Sequence, residues 1–356
     1  MVDLQTEIQE KARLVADYIL RSPFKDQLQP EYMARGAELY TLRGGKMLRP
    51  VILMLACEAA GGDPKIALPA AAAIEMSHTW TLVHDDLIDN DDMRRGGPSV
   101  HAYYREQSKN LVKNKAELEQ YARSLAMLVG DLQQAWAMSM INELGDQVNV
   151  EVFRYIIREM TNYWVPKVMA GEALDVEYSK RSFDEVTEEM ILDMLARKTA
   201  STFGFAGQAG AMIGINRLDK EHPTVKAIQQ ICLDAGLAFQ LRDDVLGIVG
   251  DEKELGKPVG SDIREGKRTV IVAHAYREAN SEQKKLLLKV LGNEAATTAE
   301  VTKVHTILEE LGSLEYAEEL ARKYAEKARL ALAALPDSRA KNLFDQWVNF
   351  IVQRTH

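Results

Sequence analysis

Five carboxylates fall within eight residues at Asp85, Asp86, Asp89, Asp91 and Asp92, directly behind the apolar run Ala71, Ala72, Ala73, Ile74 and Met76. The run predicts a helix, and Gly96, Gly97 and Pro98 place its end close behind the acids. Aspartate is a poor helix-interior residue, and carboxylates near a helix C-terminus oppose the macrodipole. Something cationic has to offset that cost. At about 100° per residue, Asp85 and Asp89 share one face, and His78 lies only about 20° from Asp85. Oxygen ligands on one helical face, without cysteine or a close histidine pair, suit a hard cation such as Mg2+ better than zinc.

A second acidic pair, Asp243 and Asp244, closes a second apolar helix through Leu237, Ala238, Phe239 and Leu241. Two Gly-Lys pairs follow, Gly256-Lys257 and Gly266-Lys267, with Asp262 between them, and a third basic loop, Gly44, Gly45, Lys46, Met47, Leu48, Arg49, Pro50, precedes both clusters. Lysine beside a glycine turn is a compact charge suited to phosphate. Any one of these pieces alone is ordinary solvated surface. Together, two carboxylate clusters and three basic loops in an acidic chain describe a site that holds metal ions and several phosphate groups at once.

The elements that must position these residues are helical. The chain has 356 residues, and apolar positions recur at three- and four-residue spacing, as in Ile156, Ile157, Met160 and Trp164, whereas alternating strand patterns are scarce. The reading is an all-α chain forming one domain over residues 1–356. Breaks are expected at Gly61 to Pro64, at Gly96 to Pro98, at Gly145-Asp146 and between Gly250 and Gly266. Segment 109–123 is charged and poor in large apolar residues, which predicts a solvated helix or an inserted excursion. The uncharged run 199–216 falls short of the roughly 20 apolar residues of a membrane span, and its Gly204, Gly207, Gly210 and Gly214 predict close helix packing instead. Lys and Arg total 44 against 53 Asp and Glu, a net charge of −9, which leaves no broad basic footprint for nucleic acid or anionic membrane. Cys57 and Cys232 make no metal or redox spacing and fit a reducing cytoplasm, and the N-terminus reads as an amphipathic helix rather than a signal or anchor.

In order and spacing these motifs make the chain resemble the trans-type isoprenyl diphosphate synthases, the polyprenyl synthetase family, over nearly its whole length. The residues carrying the resemblance are the GGKMLRP loop, His78-Thr79, the DDLID of Asp85 to Asp89 leading to Arg94-Arg95-Gly96, Gly130-Asp131, Gly171 with Asp175, Lys198-Thr199, and Phe239 to Asp244 followed by the Gly-Lys pairs. The resemblance implies a helical bundle around a central cavity, usually a homodimer, with the two aspartate motifs facing each other. It implies that Asp85 and Asp89 hold two Mg2+ ions and Asp243 a third. It further implies that Arg94, Lys198, Lys257 and Lys267 hold an allylic diphosphate, with Thr199 and Gln240 completing that subsite, and that Lys46, Arg49, His78 and Arg95 hold isopentenyl diphosphate. The chemistry is head-to-tail condensation through a carbocation, in which three Mg2+ and the basic residues offset the roughly six negative charges of two diphosphates.

Two departures stand out. Gly247 replaces the last aspartate usual in the second motif, and the stretch between His101 and Gly130 is longer than the family pattern implies. Three rival readings fare worse. A class I terpene cyclase binds one diphosphate and leaves Lys46, Arg49 and Arg95 idle. A metal phosphohydrolase built on His84-Asp85 needs histidines that the chain does not supply in suitable places. A non-catalytic partner subunit, encouraged by Gly247, does not explain why Asp85, Asp89, Asp243 and the basic set are all present.

Product length follows from helix geometry and the resemblance together. Ile74, Ser77 and Trp80 recur every three residues and form one stripe behind Asp85. In similar enzymes an aromatic residue five positions before the first aspartate, here Trp80, limits elongation. Thr81 is small, so Trp80 alone forms the floor. The expected product is geranylgeranyl diphosphate, with farnesyl or a somewhat longer prenyl diphosphate the alternative. Trp80→Ala should shift the products to longer chains, as read by chromatography of the dephosphorylated alcohols. An unchanged distribution from a folded variant would make Trp80 ordinary core packing.

Overall fold

The computed structural model describes residues 3–249, 261–293 and 295–353, and helix dominates them, as the apolar spacing predicts. The chain divides into two compact units, Met1–Ile157 with Ala209–Lys220, and Arg158–Gln208 with Glu221–His356.

The first unit contains α1 (Leu4–Arg21), α2 (Glu31–Leu42), α3 (Leu48–Ala59), α4 (Leu68–Asp89), α5 (Val100–Gln107) and α6 (Lys115–Asn142). Residues 51–57 of α3 and 69–77 of α4 are buried on every side, the mark of core helices rather than amphipathic surface ones. α4 packs antiparallel along α6, since His84 meets Gly130 while Arg123, two turns earlier on α6, donates to the Leu87 carbonyl and to Asn90 Oδ1 at 2.8 Å. Asn90, with φ 58°, ends α4 in the left-handed conformation that closes many helices. Between α4 and α5 lies a two-residue hairpin, β1 (Met93–Arg94) against β2 (Gly97–Pro98), which the all-helical reading did not foresee. Its loop residues Arg95 (φ 51°) and Gly96 (φ 70°) both have positive φ, the pattern of a type I′ turn. Segment 109–123 takes the solvated-helix form over its second half: Asn114 caps α6, and Glu119 and Arg123 lie in its exposed first turns.

The second unit follows α7 (Val150–Glu159), which continues through a π-helical turn, Met160–Trp164, into α8 (Val165–Tyr178). Then come α9 (Glu188–Leu195), a second π-helical turn (Ala196–Ala200), α10 (Ser201–Ile215, whose residues from Ala209 onward belong to the first unit), α11 (Pro223–Val249), α12 (Ser261–Glu265), α13 (Val270–Glu278), α14 (Ser281–Val290), α15 (Thr298–Glu310), α16 (Ser313–Leu332) and α17 (Arg339–Gln353). α11 packs along α16, with Leu237, Leu241 and Ala321 in one apolar cluster and Val245, Ile248, Ile271 and Val304 in another. Among the described residues no helix is long and apolar enough to cross a membrane.

The glycines of α10 do what their spacing predicts. Gly204 and Gly207 lie against Leu233 and Cys232 of α11, and Gly210 and Gly214 against the Leu53 and Cys57 carbonyls of α3. A Cβ at Gly210 would sit 2.0 Å from the Leu53 carbonyl oxygen, closer than any side chain can approach a rigid backbone. Gly210→Ala should therefore lower stability by roughly 1–3 kcal/mol or prevent folding. Equilibrium unfolding in denaturant checks this, and an unchanged midpoint would contradict the close approach.

Candidate active site

In the first unit the aspartates of the first cluster separate by burial. Asp86 is fully buried, whereas Asp85 and Asp89, one helical turn apart, keep partial access to solvent. Tyr40 of α2 donates its hydroxyl to Asp86, and Arg94 donates from Nε to the same carboxylate at 2.6 Å. Burial pushes the Asp86 carboxyl up to about 6 against the pull of Arg94. Arg94 also reaches Asp85 at 3.2 Å and Asp91 at 3.5 Å, and this concentration of carboxylates raises its own pKa despite burial. Asp92 is held by Arg105 and by His101 at 3.2 Å. The cation demanded by the acidic helix end is thus in part the protein's own.

The hairpin delivers the neighbouring Arg95 in the opposite direction. Arg95 donates to the Tyr40 carbonyl at 2.9 Å and to Glu75 of α4 at 3.1 Å, and its guanidinium crosses Gly45 so closely that a Cβ there would lie 2.9 Å away. Arg49 of α3 lies 3.2 Å from His78 Nε2. Guanidinium can only donate, so Nε2 accepts and the His78 proton resides on Nδ1. Desolvation, then Arg49, Arg95 and Arg94, push His78 well below the ordinary histidine value, while burial raises Glu75 against Arg95 and Arg49. Arg49, His78 and Arg95, grouped by the sequence, do lie together, and Lys46 is exposed on the adjoining loop, where Gly44 has φ 74°.

Behind Asp85 the stripe is graded, with Ile74 and Ser77 fully buried and Trp80 at 8 % exposure. Thr81 spends its hydroxyl on the His78 carbonyl at 2.8 Å. Trp80 meets His84 edge to face, and His84 fits only because residue 130 lacks a side chain: a Cβ there would lie 2.2 Å from His84 Nε2. His84 packs against α6, its Nε2 3.3 Å from the Met127 carbonyl and 4.0 Å from Asp131, and among the described residues it belongs to no group of three metal-ligating side chains.

The second unit repeats the division of labour. Asp244 is buried and accepts from Gln240 Nε2 at 2.9 Å, Gln240 Oε1 accepts from the Thr199 hydroxyl at 2.8 Å, and Asp243 keeps partial access. Burial, aided by the charges of Asp262, Asp243 and Asp175, raises Asp244 to about 8. Lys198, on the π-helical turn, bonds Asp175 at 2.6 Å and Glu172 at 2.8 Å, while a Cβ at Gly171 would meet the Lys198 nitrogen at 2.4 Å. Lys267 lies 3.1 Å from Glu265, and Lys257 lies outside the described residues. The space beside Gly247 faces Asp262, 3.1 Å from where a Cβ would stand.

Among the described residues no three histidine, cysteine or carboxylate side chains converge as a ready-made metal cage. Partly accessible pairs of oxygen donors such as Asp85 and Asp89 fit Mg2+ all the same, because it binds through one or two carboxylates and takes its other ligands from water and substrate phosphates.

The family model described as polyprenyl synthetase matches residues 30–308. The chain belongs to the polyprenyl synthetase family. It is 36% identical over 313 residues to the geranylgeranyl diphosphate synthase of Saccharolobus solfataricus, covering 87% of each chain. To the short chain isoprenyl diphosphate synthase of Methanothermobacter thermautotrophicus it is 34% identical over 351 residues, 98% of each. Its fold matches a geranylgeranyl pyrophosphate synthase from Corynebacterium glutamicum, solved with isoprenyl diphosphate and magnesium, at a TM-score of 0.87 and 26% identity, over 99% of this chain and 100% of that one.

Sequence reasoning missed Tyr40, Arg43 and Glu75. Arg43 donates to the carbonyls of Arg94 at 3.2 Å and Pro98 at 2.6 Å, clamping the hairpin. Its place one residue before Gly44-Gly45 was the available signal. The histidine state is testable. Because the folded His78 pKa lies below the unfolded one, the unfolded chain takes up the proton first, and stability falls as pH drops below the ordinary histidine value. Glu75, raised on folding, acts oppositely, losing its contribution as pH rises. His78→Gln should therefore flatten the acid limb of melting temperature against pH, removing up to about 1 kcal/mol per pH unit. Parallel curves for wild type and variant would show that His78 titrates normally.

Proposed function

We propose that this chain condenses isopentenyl diphosphate with an allylic diphosphate to give a short-chain prenyl diphosphate, geranylgeranyl diphosphate as the main product. The single observation that carries the reading is the sorting of each aspartate pair into one buried, hydrogen-bonded carboxyl and one accessible carboxylate, set beside arginines and lysines able to bind phosphate. The relatedness to prenyl diphosphate synthases supports it.

In this reading Asp85 and Asp89 hold two Mg2+ ions and Asp243 the third, as an accessible carboxylate that does not need the aspartate missing at 247. When bound, the ions supply positive charge to the departing diphosphate. Arg94, Lys198, Lys257 and Lys267 bind the allylic diphosphate, with Thr199 and Gln240 orienting it. Arg94 and Lys198 rest on carboxylates, so phosphate oxygens would replace like with like. Lys46, Arg49, His78 and Arg95 bind isopentenyl diphosphate. A neutral His78 accepting from Arg49 keeps that guanidinium aimed, and Glu75 does the same for Arg95. Ionisation of the allylic carbon–oxygen bond gives the carbocation, the isopentenyl double bond attacks it, and the departing pyrophosphate takes the proton, so no protein base is assigned.

The same proposal takes residues 1–356 as one catalytic domain acting in the cytoplasm. It also takes the enzyme as a homodimer, for which the 56 % exposed Met127 and 51 % exposed Leu128 on α6 supply an apolar face. Labelled isopentenyl diphosphate, an allylic primer and Mg2+ test the activity directly. Asp85→Ala should lower turnover by roughly a hundredfold or more, and EDTA should abolish it. Full activity in EDTA would overturn the metal assignment, and failure to incorporate label with any primer would overturn the function.

A further inference from the structure

Arg268 follows the second Gly-Lys pair and has no part in the chemistry above, yet its guanidinium is buried, leaving the residue 9 % exposed. Among the described residues it meets no carboxylate. It donates instead to two carbonyls, Gly266 at 3.0 Å and Arg181 at 2.8 Å, and its Nε has no partner. Desolvation pushes its pKa below the ordinary arginine value. A buried cation without a counter-charge is an expensive way to fill space that an apolar side chain fills at less cost.

Its surroundings are arranged around the charge. The guanidinium carbon stands 3.8 Å from the centre of the Phe183 ring, the Phe183 and Tyr276 rings stack at 4.5 Å with 17° between their planes, and the Lys284 ammonium lies 4.9 Å from the centre of Tyr276. Tyr276 already covers one face of Phe183, so Arg268 takes the other. The result is a column of cation, ring, ring and cation, in which each ring offers its negative face to a charge.

The column bears on one peptide. The Gly266 carbonyl that Arg268 holds belongs to the peptide group carrying the Lys267 nitrogen, and that nitrogen donates to the Asp262 carbonyl at 3.0 Å. Gly266 turns at φ 74° and lies so close to Gly292 that a Cβ would be 2.8 Å from its Cα, while Thr269, one residue beyond Arg268, caps α13. Lys267 therefore grows from a peptide plane held on both sides. We infer that Arg268 is a positioning residue for Lys267, its stack on Phe183 fixing the direction in which the lysine presents its ammonium to the allylic diphosphate. The inference rests on the reading of Lys267 given above. Arg268→Lys is not a conservative exchange here, since only the planar fork spans two carbonyls and stacks on a ring.

The test is a double-mutant cycle on the full-length enzyme with Mg2+, measuring KM separately for the allylic diphosphate and for isopentenyl diphosphate. Arg268→Ala should raise the allylic KM roughly tenfold, as misplacement of a binding group does, and leave the isopentenyl KM unchanged. Lys267→Ala with Arg268→Ala should be no worse than Lys267→Ala alone, because the arginine acts through the lysine. Phe183→Leu keeps the apolar volume and removes the ring. It should shift the allylic KM in the same direction, and it carries the test if Arg268→Ala does not fold. Additive losses, or equal rises in both KM values, overturn the inference while the diphosphate reading stands. An allylic KM unchanged in Lys267→Ala overturns that reading and the inference with it.

Discussion

The carboxylate of Asp86 sits in the interior of the first unit, and much of that unit's local structure follows from keeping it there. An ionised carboxylate removed from water is tolerated only with hydrogen bonds and an opposite charge at hand. Tyr40 supplies the hydrogen bond and Arg94 the charge. Arg94 reaches Asp86 only because the chain reverses in a two-residue hairpin after α4, and the hairpin holds its shape because Arg43 binds two of its carbonyls. The same reversal sends Arg95 to Glu75. One buried acid thereby ties α2, α4 and the hairpin together and leaves Asp85 and Asp89 at the accessible end of a rigid core helix.

The second unit meets the same problem with neutral partners. Among the described residues Asp244 is buried beside other acids with no arginine bonded to it; its carboxyl accepts from Gln240, and burial raises it to about 8. Lys198 and Lys267 rest on glutamate and aspartate oxygens. Both units thus hold cations of the candidate site against carboxylates. In the proposed function a diphosphate would offer those cations the same oxygen chemistry with more charge.

The helical architecture was legible because apolar spacing persists through α3, α4 and α11, and the two acid clusters were legible because aspartates at a helix end contradict the macrodipole. The metal-holding role of Asp85, Asp89 and Asp243 is what the family resemblance implies; the burial of Asp86 and Asp244 beside them is a separate observation of the structure. Composition alone does not separate Asp85 from Asp86. The hairpin escaped notice because two-residue strands carry no alternation, although Arg95-Gly96 occupies its turn. The π-helical turn presenting Lys198 and Thr199 has no composition signature either. Its trace in the sequence is indirect, through Gly171, where a side chain would strike the Lys198 backbone. Tyr40, Glu75 and Arg268 were invisible for a common reason: each makes contacts with groups distant in sequence, Asp86, Arg95 and Phe183 respectively, and a lone tyrosine, glutamate or arginine has no local pattern.

In the proposed function the partly accessible aspartates of each unit bind Mg2+ together with diphosphate. Calorimetric titration of Mg2+ into the metal-free protein, with and without saturating inorganic pyrophosphate, addresses it without relying on turnover. Weak binding of Mg2+ alone is expected, with tight binding of more than one ion per chain once pyrophosphate is present, and loss of part of that binding in Asp85→Ala and of a different part in Asp243→Ala. Binding that ignores pyrophosphate, or that survives intact in both variants, would contradict this reading.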